Sequence, residues 1–167
     1  MNLFLAILPT ILITAFILWH DRYEKEPKKL LAVLFLLGIA AVLPALLLEG
    51  LYPVSSVPTL FSIFLEAFIG VALIEEGVKY AAVRFAAYKH PAYNEIYDGI
   101  IYCVMVSLGF ATVENILYVA QYGASTALIR AITAVPAHAI FAVSMGYNLS
   151  MSKVMRNRLF YKWKALL

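Results

Sequence analysis

The sequence predicts an all-α protein, a polytopic bundle of about five transmembrane helices. Three observations carry that expectation. Of 167 residues, 63% are hydrophobic and 14% charged, with a mean hydropathy of +0.85. An ordinary soluble domain is about 45–50% apolar, and a chain of this length cannot bury so much oil in one water-facing globule. Five runs are long enough to cross a hydrocarbon layer, which takes about 20 mostly apolar residues. The basic residues fall in alternate connections between those runs.

The runs cover residues 2–19, 30–51, 59–85, 97–122 and 126–150. The first has no basic stretch before it, and positive charge follows it, so it reads as a span rather than a secretory signal. The second is nearly all Leu, Ala and Val. The third carries Glu66, Glu75, Glu76 and Lys79, with Arg84 near its end. The fourth and fifth hold small residues, Gly109, Ala111 and Gly146, where a neighbouring helix can approach closely. Short connections make residues 1–167 a single transmembrane unit. Its last residues, FYKWKALL, read either as the mouth of a sixth helix or as an interfacial tail, and the unit is expected to be incomplete at that end.

The net charge is +3, and its distribution bears on orientation rather than on nucleic acid, for which no role is expected. Arg22, Lys25, Lys28 and Lys29 follow the first run, Arg84 ends the third and Lys89 follows it, and Lys153, Arg156, Arg158, Lys162 and Lys164 follow the fifth. These are eleven of the thirteen basic residues. The rule that cytoplasmic loops are enriched in Lys and Arg puts the N-terminus outside and the basic tail in the cytoplasm. Cys103 lies in an apolar run, has no partner for a disulfide, and reads as an inert buried thiol.

Charged groups inside a span need a reason. A Glu, Lys or Arg at mid-helix costs about 2.5–3.5 kcal/mol on insertion scales, against a gain of about 0.5 for a Leu. The charged set of the third run must therefore face protein or a wet pocket. In IEEGVKY, Glu75 and Lys79 are four apart and Glu76 and Lys79 three apart, so one ammonium reaches both carboxylates. Adjacent carboxylates suit acid–base hydrolysis, in which one group takes a proton from water while a neighbour donates. The same residues read equally as a structural ion pair. Phe110 and Glu114 share a helix face, and Asn115 adjoins Glu114. Pro136 loosens the backbone two residues before His138, the only histidine inside a run.

Depth is uneven. Counted from the outer side, Glu75 lies about 16 residues in, His138 about 12 and Glu114 about 8, a spread of roughly 12 Å at 1.5 Å per residue. Either tilt absorbs this, or Glu114 supports the site from above. Glu66 and Glu49 are expected to be packing or interfacial groups.

Missing motifs narrow the chemistry. There is no HExxH, no Gly-x-Ser-Gly around Ser144, no Gly-x-Gly-Asp with a second intramembrane aspartate, and no glycine-rich phosphate loop. A glutamate-based site with a histidine remains. A proton-coupled transporter or ion pathway is the alternative, since intramembrane Glu, Lys and His chains also mark proton relays. A scaffold using the same groups as helix glue is a third.

Three motifs resemble the PrsW family of glutamic intramembrane proteases, related to the CAAX-processing and bacteriocin-protection membrane proteases. EEGVKY resembles its Glu-Glu-x-x-Lys. DGIIYCVMVSLGFATVENILY resembles its long second motif, and RAITAVPAHAIFAVSMGY its histidine motif; DRYEKEP fits its first cytoplasmic loop. The resemblance spans nearly the whole chain. It implies peptide-bond hydrolysis in or beside a membrane-anchored protein substrate in the bacterial cytoplasmic membrane. The family role implies an anti-sigma factor as substrate, cut first during envelope stress. It also implies catalytic roles for Glu75, Glu76, Glu114 and His138. The expected mechanism is direct attack of water activated by Glu75 or Glu76. His138, with Glu114 or Asn115, polarises the scissile carbonyl, and Lys79, Phe110 and Asn115 support the site. No cofactor is expected. Zinc is the alternative, because Glu and His are competent ligands, although one His among scattered Glu is not a strong set. The family's further histidine, in a His-Gly-x-Tyr-Asp type motif, does not occur in these 167 residues.

Overall fold

Apolar runs without strand periodicity become helices, and among the described residues there is no strand. The computed structural model describes residues 2–20, 25–53 and 59–166. Arg22 and its neighbours in DRYEKEP from Asp21 to Glu24 lie outside the described residues. The helices are α1 (Asn2–His20), α2 (Lys28–Glu49), α3 (Leu60–Leu65), α4 (Leu73–Ala86), α5 (Ile96–Tyr122), α6 (Ala124–Ile132), α7 (Ala134–Val154) and α8 (Arg158–Lys164). A π-helical stretch, Glu66–Ala72, joins α3 to α4 without a break.

Among the described residues, four helical paths are long and apolar enough to cross a membrane: α1, α2, α5, and α6 with α7. The remaining predicted span is the continuous path through α3, the π stretch and α4, which carries the charged residues. The all-α polytopic bundle is therefore as the sequence predicts, with two irregularities: a full break where Pro136 was expected only to loosen the backbone, and a π-helical stretch the sequence did not show. The fifth run is broken at Thr133. The cause is Pro136: it has no N–H to give the carbonyl four residues back, and its ring crowds that carbonyl, which belongs to Ile132, the last residue of α6. In the third run the helix widens into π turns. Gly70 lies there against the Tyr52 ring, so closely that a Cβ would stand 2.7 Å from the ring. Thr59 caps α3 by accepting from the Ser62 N–H, while the Ser62 hydroxyl accepts from Thr59 N–H.

The central helix is α5, in contact with α1, α2, α4, α6 and α7 and buried along most of its length. Glycines let its neighbours close on it. A Cβ on Gly109 would lie 2.1 Å from the Phe35 carbonyl oxygen of α2, and one on Gly146 of α7 would lie 2.3 Å from the Gly99 carbonyl oxygen. Cys103 sits in this core, 1% exposed.

One end of the bundle is tied by tyrosines. Tyr93 bonds Ser150 at 2.8 Å, Tyr88 bonds Ser152 at 2.9 Å, and the Tyr102 hydroxyl donates to Glu26. Burial pushes the Tyr93 phenol above its ordinary range. Arg84 lies over the Tyr88 ring, Lys153 over Tyr93 and Lys162 near Tyr88, so basic residues from the ends of α4 and α7 and from α8 gather at this end.

Because Gly146 has no room for a side chain, Gly146→Val is expected to cost about 1–3 kcal/mol through overpacking. A Cβ on Gly77 meets nothing within 4 Å. Gly77→Ala should therefore be neutral or gain about 0.5–1 kcal/mol from helix propensity. Thermal unfolding of the two variants in detergent checks the contrast.

Candidate active site

Glu75 and Glu76 lie in the first turn of α4, and Lys79 lies one turn later. Helical spacing folds the Lys79 ammonium back onto both carboxylates: Nζ is 3.0 Å from Glu75 Oε2 and 2.9 Å from Glu76 Oε1. The third acceptor comes from another helix. His138, in the second turn of α7, places Nδ1 3.0 Å from the same Nζ. Lys79 is 1% exposed, so its three N–H donors meet three acceptors away from water. The Phe110 ring of α5 closes the arrangement, with its centroid 4.1 Å from Nζ.

These contacts set the histidine tautomer. An ammonium only donates, so Nδ1 accepts. Nε2 then carries the hydrogen and donates it to Glu114 Oε2 at 2.8 Å. Glu114 is also paired with Arg130 of α6, Nη2 standing 2.8 Å away. Arg130 Nε donates to Asn115 Oδ1 at 3.0 Å, and the Asn115 amide donates to the Ala6 carbonyl of α1 at 2.6 Å. The Arg130 guanidinium lies 4.0 Å over the Tyr118 ring.

Glu114 and His138 meet at 2.8 Å despite the unequal depths counted along uninterrupted runs. The break at Thr133 starts α7 at Ala134, so His138 stands about one turn from a helix end, as Glu114 stands about two turns from the end of α5. Glu114 thus holds the far side of the imidazole, away from the glutamate pair.

Two hollows flank Glu75. One, of about 340 Å³, is an apolar groove walled by Phe68, Ala72, Leu73, Ala137 and Phe141, with Glu75, Glu76 and His138 on its surface. The other, of about 330 Å³, is more polar; Glu49, Glu75, Glu114, Tyr118 and Gln121 line it, with Phe110 at its wall. Glu75 is the one residue common to both linings.

The donor set also fits a metal ion. One ligand atom each from Glu75, Glu76 and His138 lie within 4.8 Å of one another. Catalytic zinc takes three such N and O ligands and keeps a further position open. A ligating histidine characteristically gives its other N–H to a carboxylate, as His138 does to Glu114. The Lys79 ammonium, about 3 Å from all three donors, stands in for the cation such a set would hold.

Comparison with known proteins decides the family. The profile described as "PrsW family intramembrane metalloprotease" matches residues 26–167. A curated relative from Geobacillus kaustophilus, named Protease PrsW, is 38% identical over 97% of this chain and 72% of its own length. The protein of that name from Oceanobacillus iheyensis is 39% identical over 96% of this chain and 72% of its own length. That from Bacillus subtilis is 32% identical over 96% of this chain and 73% of its own length. The chain belongs to the PrsW family. No solved structure matches it.

Within this PrsW-family chain, Glu75, Glu76, Lys79, Phe110, Glu114 and His138 come together as one cluster. Asn115 does not face it: its side chain is fully buried and bonded to Ala6 and Arg130, so it positions the arginine and does not reach a substrate carbonyl. Two residues in contact with the site carry no role in the sequence reading. Arg130 lies inside a predicted span, and an intramembrane arginine needs a carboxylate, which was the available signal. Glu49, expected as a packing or interfacial group, stands at the end of α2 and also lines the polar hollow.

Removing the Lys79 charge leaves two partly buried carboxylates without a counter-ion. Lys79→Met is expected to cost about 3–5 kcal/mol of stability, measured by chemical denaturation in mixed micelles. Glu114→Gln keeps the shape but loses the charge that holds His138 and Arg130. It should lower turnover about 10–100-fold with little change in KM.

Proposed function

We propose that this chain cuts a peptide bond in or beside the transmembrane segment of a membrane-anchored protein, using water activated by the Glu75–Glu76 pair. Convergence of both carboxylates with His138 on one apolar groove supports this reading most. Family membership favours hydrolysis over proton-coupled transport. The proposed location is the bacterial cytoplasmic membrane, and the proposed substrate, by the family's role, is an anti-sigma factor.

The groove admits an unwound apolar segment, and the carboxylates sit where its carbonyl would lie. Glu75 takes a proton as water attacks that carbonyl carbon. The positive charge of Lys79 faces the negative charge that develops on oxygen. His138 presents an accepting Nδ1, so it becomes a donor only after taking the proton, and Glu114 stabilises the imidazolium that forms. From Nδ1 the proton passes to the leaving nitrogen as the C–N bond breaks. No covalent enzyme intermediate is needed.

The donor set and the family's description as a metalloprotease favour a second reading, in which Glu75, Glu76 and His138 hold a divalent ion. Bound there, the ion would supply Lewis-acid polarisation of the carbonyl and a more acidic water. Glu75, Glu76 and His138 serve both readings, but the Lys79 ammonium lies among these donors and would have to withdraw for an ion to bind.

Reconstitution with a tagged membrane-anchored substrate tests the proposal. Glu75→Gln, Glu76→Gln and His138→Ala are each expected to lower kcat by about 10²–10⁴-fold. Full cleavage by all three would remove these residues from the chemistry. Loss of activity with a chelator, its return with zinc, and one equivalent of metal in the purified protein would select the metal-bound form.

A further inference from the structure

We infer that water reaches Glu75 through the polar hollow, from the opposite side of the carboxylate to the groove that takes the peptide, and that Glu49 is a positioning residue along that route. The inference rests on the hydrolase reading above and adds the division of labour between the two hollows.

A peptide that fills an apolar groove inside a membrane displaces whatever water was there. Hydrolysis still needs one water at the carboxylate, so supply and substrate must approach from different sides. The two hollows meet at Glu75 and at no other lining residue. The groove side offers aliphatic and aromatic walls, Phe68, Ala72, Leu73 and Phe141 among them. Water persists in a hollow only where it finds about two to four polar partners. The other side, though partly apolar, is lined by Glu49, Glu114, Gln121 and Tyr118 as well as Glu75. At about 30 Å³ per molecule, its volume holds on the order of ten waters.

The placement of those residues gives the route an entrance. Glu49 is the last residue of α2, and Gln121 and Tyr122 are the last two of α5. The hollow therefore runs from the ends of two long helices down to Glu75, at the opposite end of the bundle from the tyrosine ties. Glu49 stands at its mouth, partly exposed, where a carboxylate orders entering water toward Glu75.

Adjacent residues on one helix test this at matched depth. Val71 lines the polar hollow and Ala72 the groove, and both are exposed. The native Cys103 is buried, so the unmodified chain is a silent background for thiol labelling. In liposomes, Val71→Cys is expected to react at least about tenfold faster than Ala72→Cys with a charged, membrane-impermeant methanethiosulfonate. An uncleaved apolar transmembrane peptide should protect Ala72→Cys and leave Val71→Cys reactive. Glu49→Leu should lower kcat about 10–100-fold at unchanged KM, with Glu49→Gln recovering most of it. Equal labelling of the two cysteines, or protection of both by the peptide, overturns the route. Full activity of Glu49→Leu overturns the assignment of Glu49. Failure of the underlying hydrolase reading looks different: Glu75→Gln would then cleave like the wild type, whatever the labelling pattern.

Discussion

Lys79 sets the terms for the rest of the bundle. An ammonium withdrawn from water must give its hydrogens to acceptors, and here two come from its own helix and one from α7. That demand fixes the rotation of α4 about its axis and the height of α7 beside it. It also commits the imidazole to one tautomer, which in turn requires an acceptor on Nε2 and recruits Glu114. Glu114 in turn brings in Arg130, and Arg130 brings in Asn115. Each polar group is tolerable at this depth because the next one satisfies it. For Lys79 and Asn115, which are buried, the contacts are obligatory, since water does not reach them to substitute.

The backbone irregularities lie on either side of that cluster. The π turns end just before Glu75, and the break at Thr133 falls one turn before His138. Regular helices would hold these side chains at fixed intervals of rotation and depth. Extra residues in the turns, and a proline that stops one helix and permits the next, release both from that spacing. Single π turns inside α-helices recur at functional sites, and this one lies next to the acidic pair.

What sequence made readable was local. The Glu75–Lys79–Glu76 contact follows from spacing within one helix, as does the shared face of Phe110 and Glu114. Gly109 and Gly146 were readable as approach points because small residues in a span have few other uses, and Ala111 beside them is buried too. What stayed hidden was long-range. Pro136 was readable as a loosening of the backbone but not as a full break at Thr133, and counting along an unbroken run sets His138 and Glu114 at different depths although their side chains meet. Asn115 adjoins a site residue in sequence, yet successive helical positions point about 100° apart, and its side chain faces α1 instead. Glu49 looked interfacial because it ends an apolar run; only the packing of α2 against α5 shows that it borders a hollow shared with Glu75.

The helix with no chemistry of its own still has a grip on the imidazole. A backbone carbonyl of α1, at Ala6, anchors the amide that anchors the guanidinium that anchors the carboxylate behind His138. Four contacts thus run from α1 to the ring of His138.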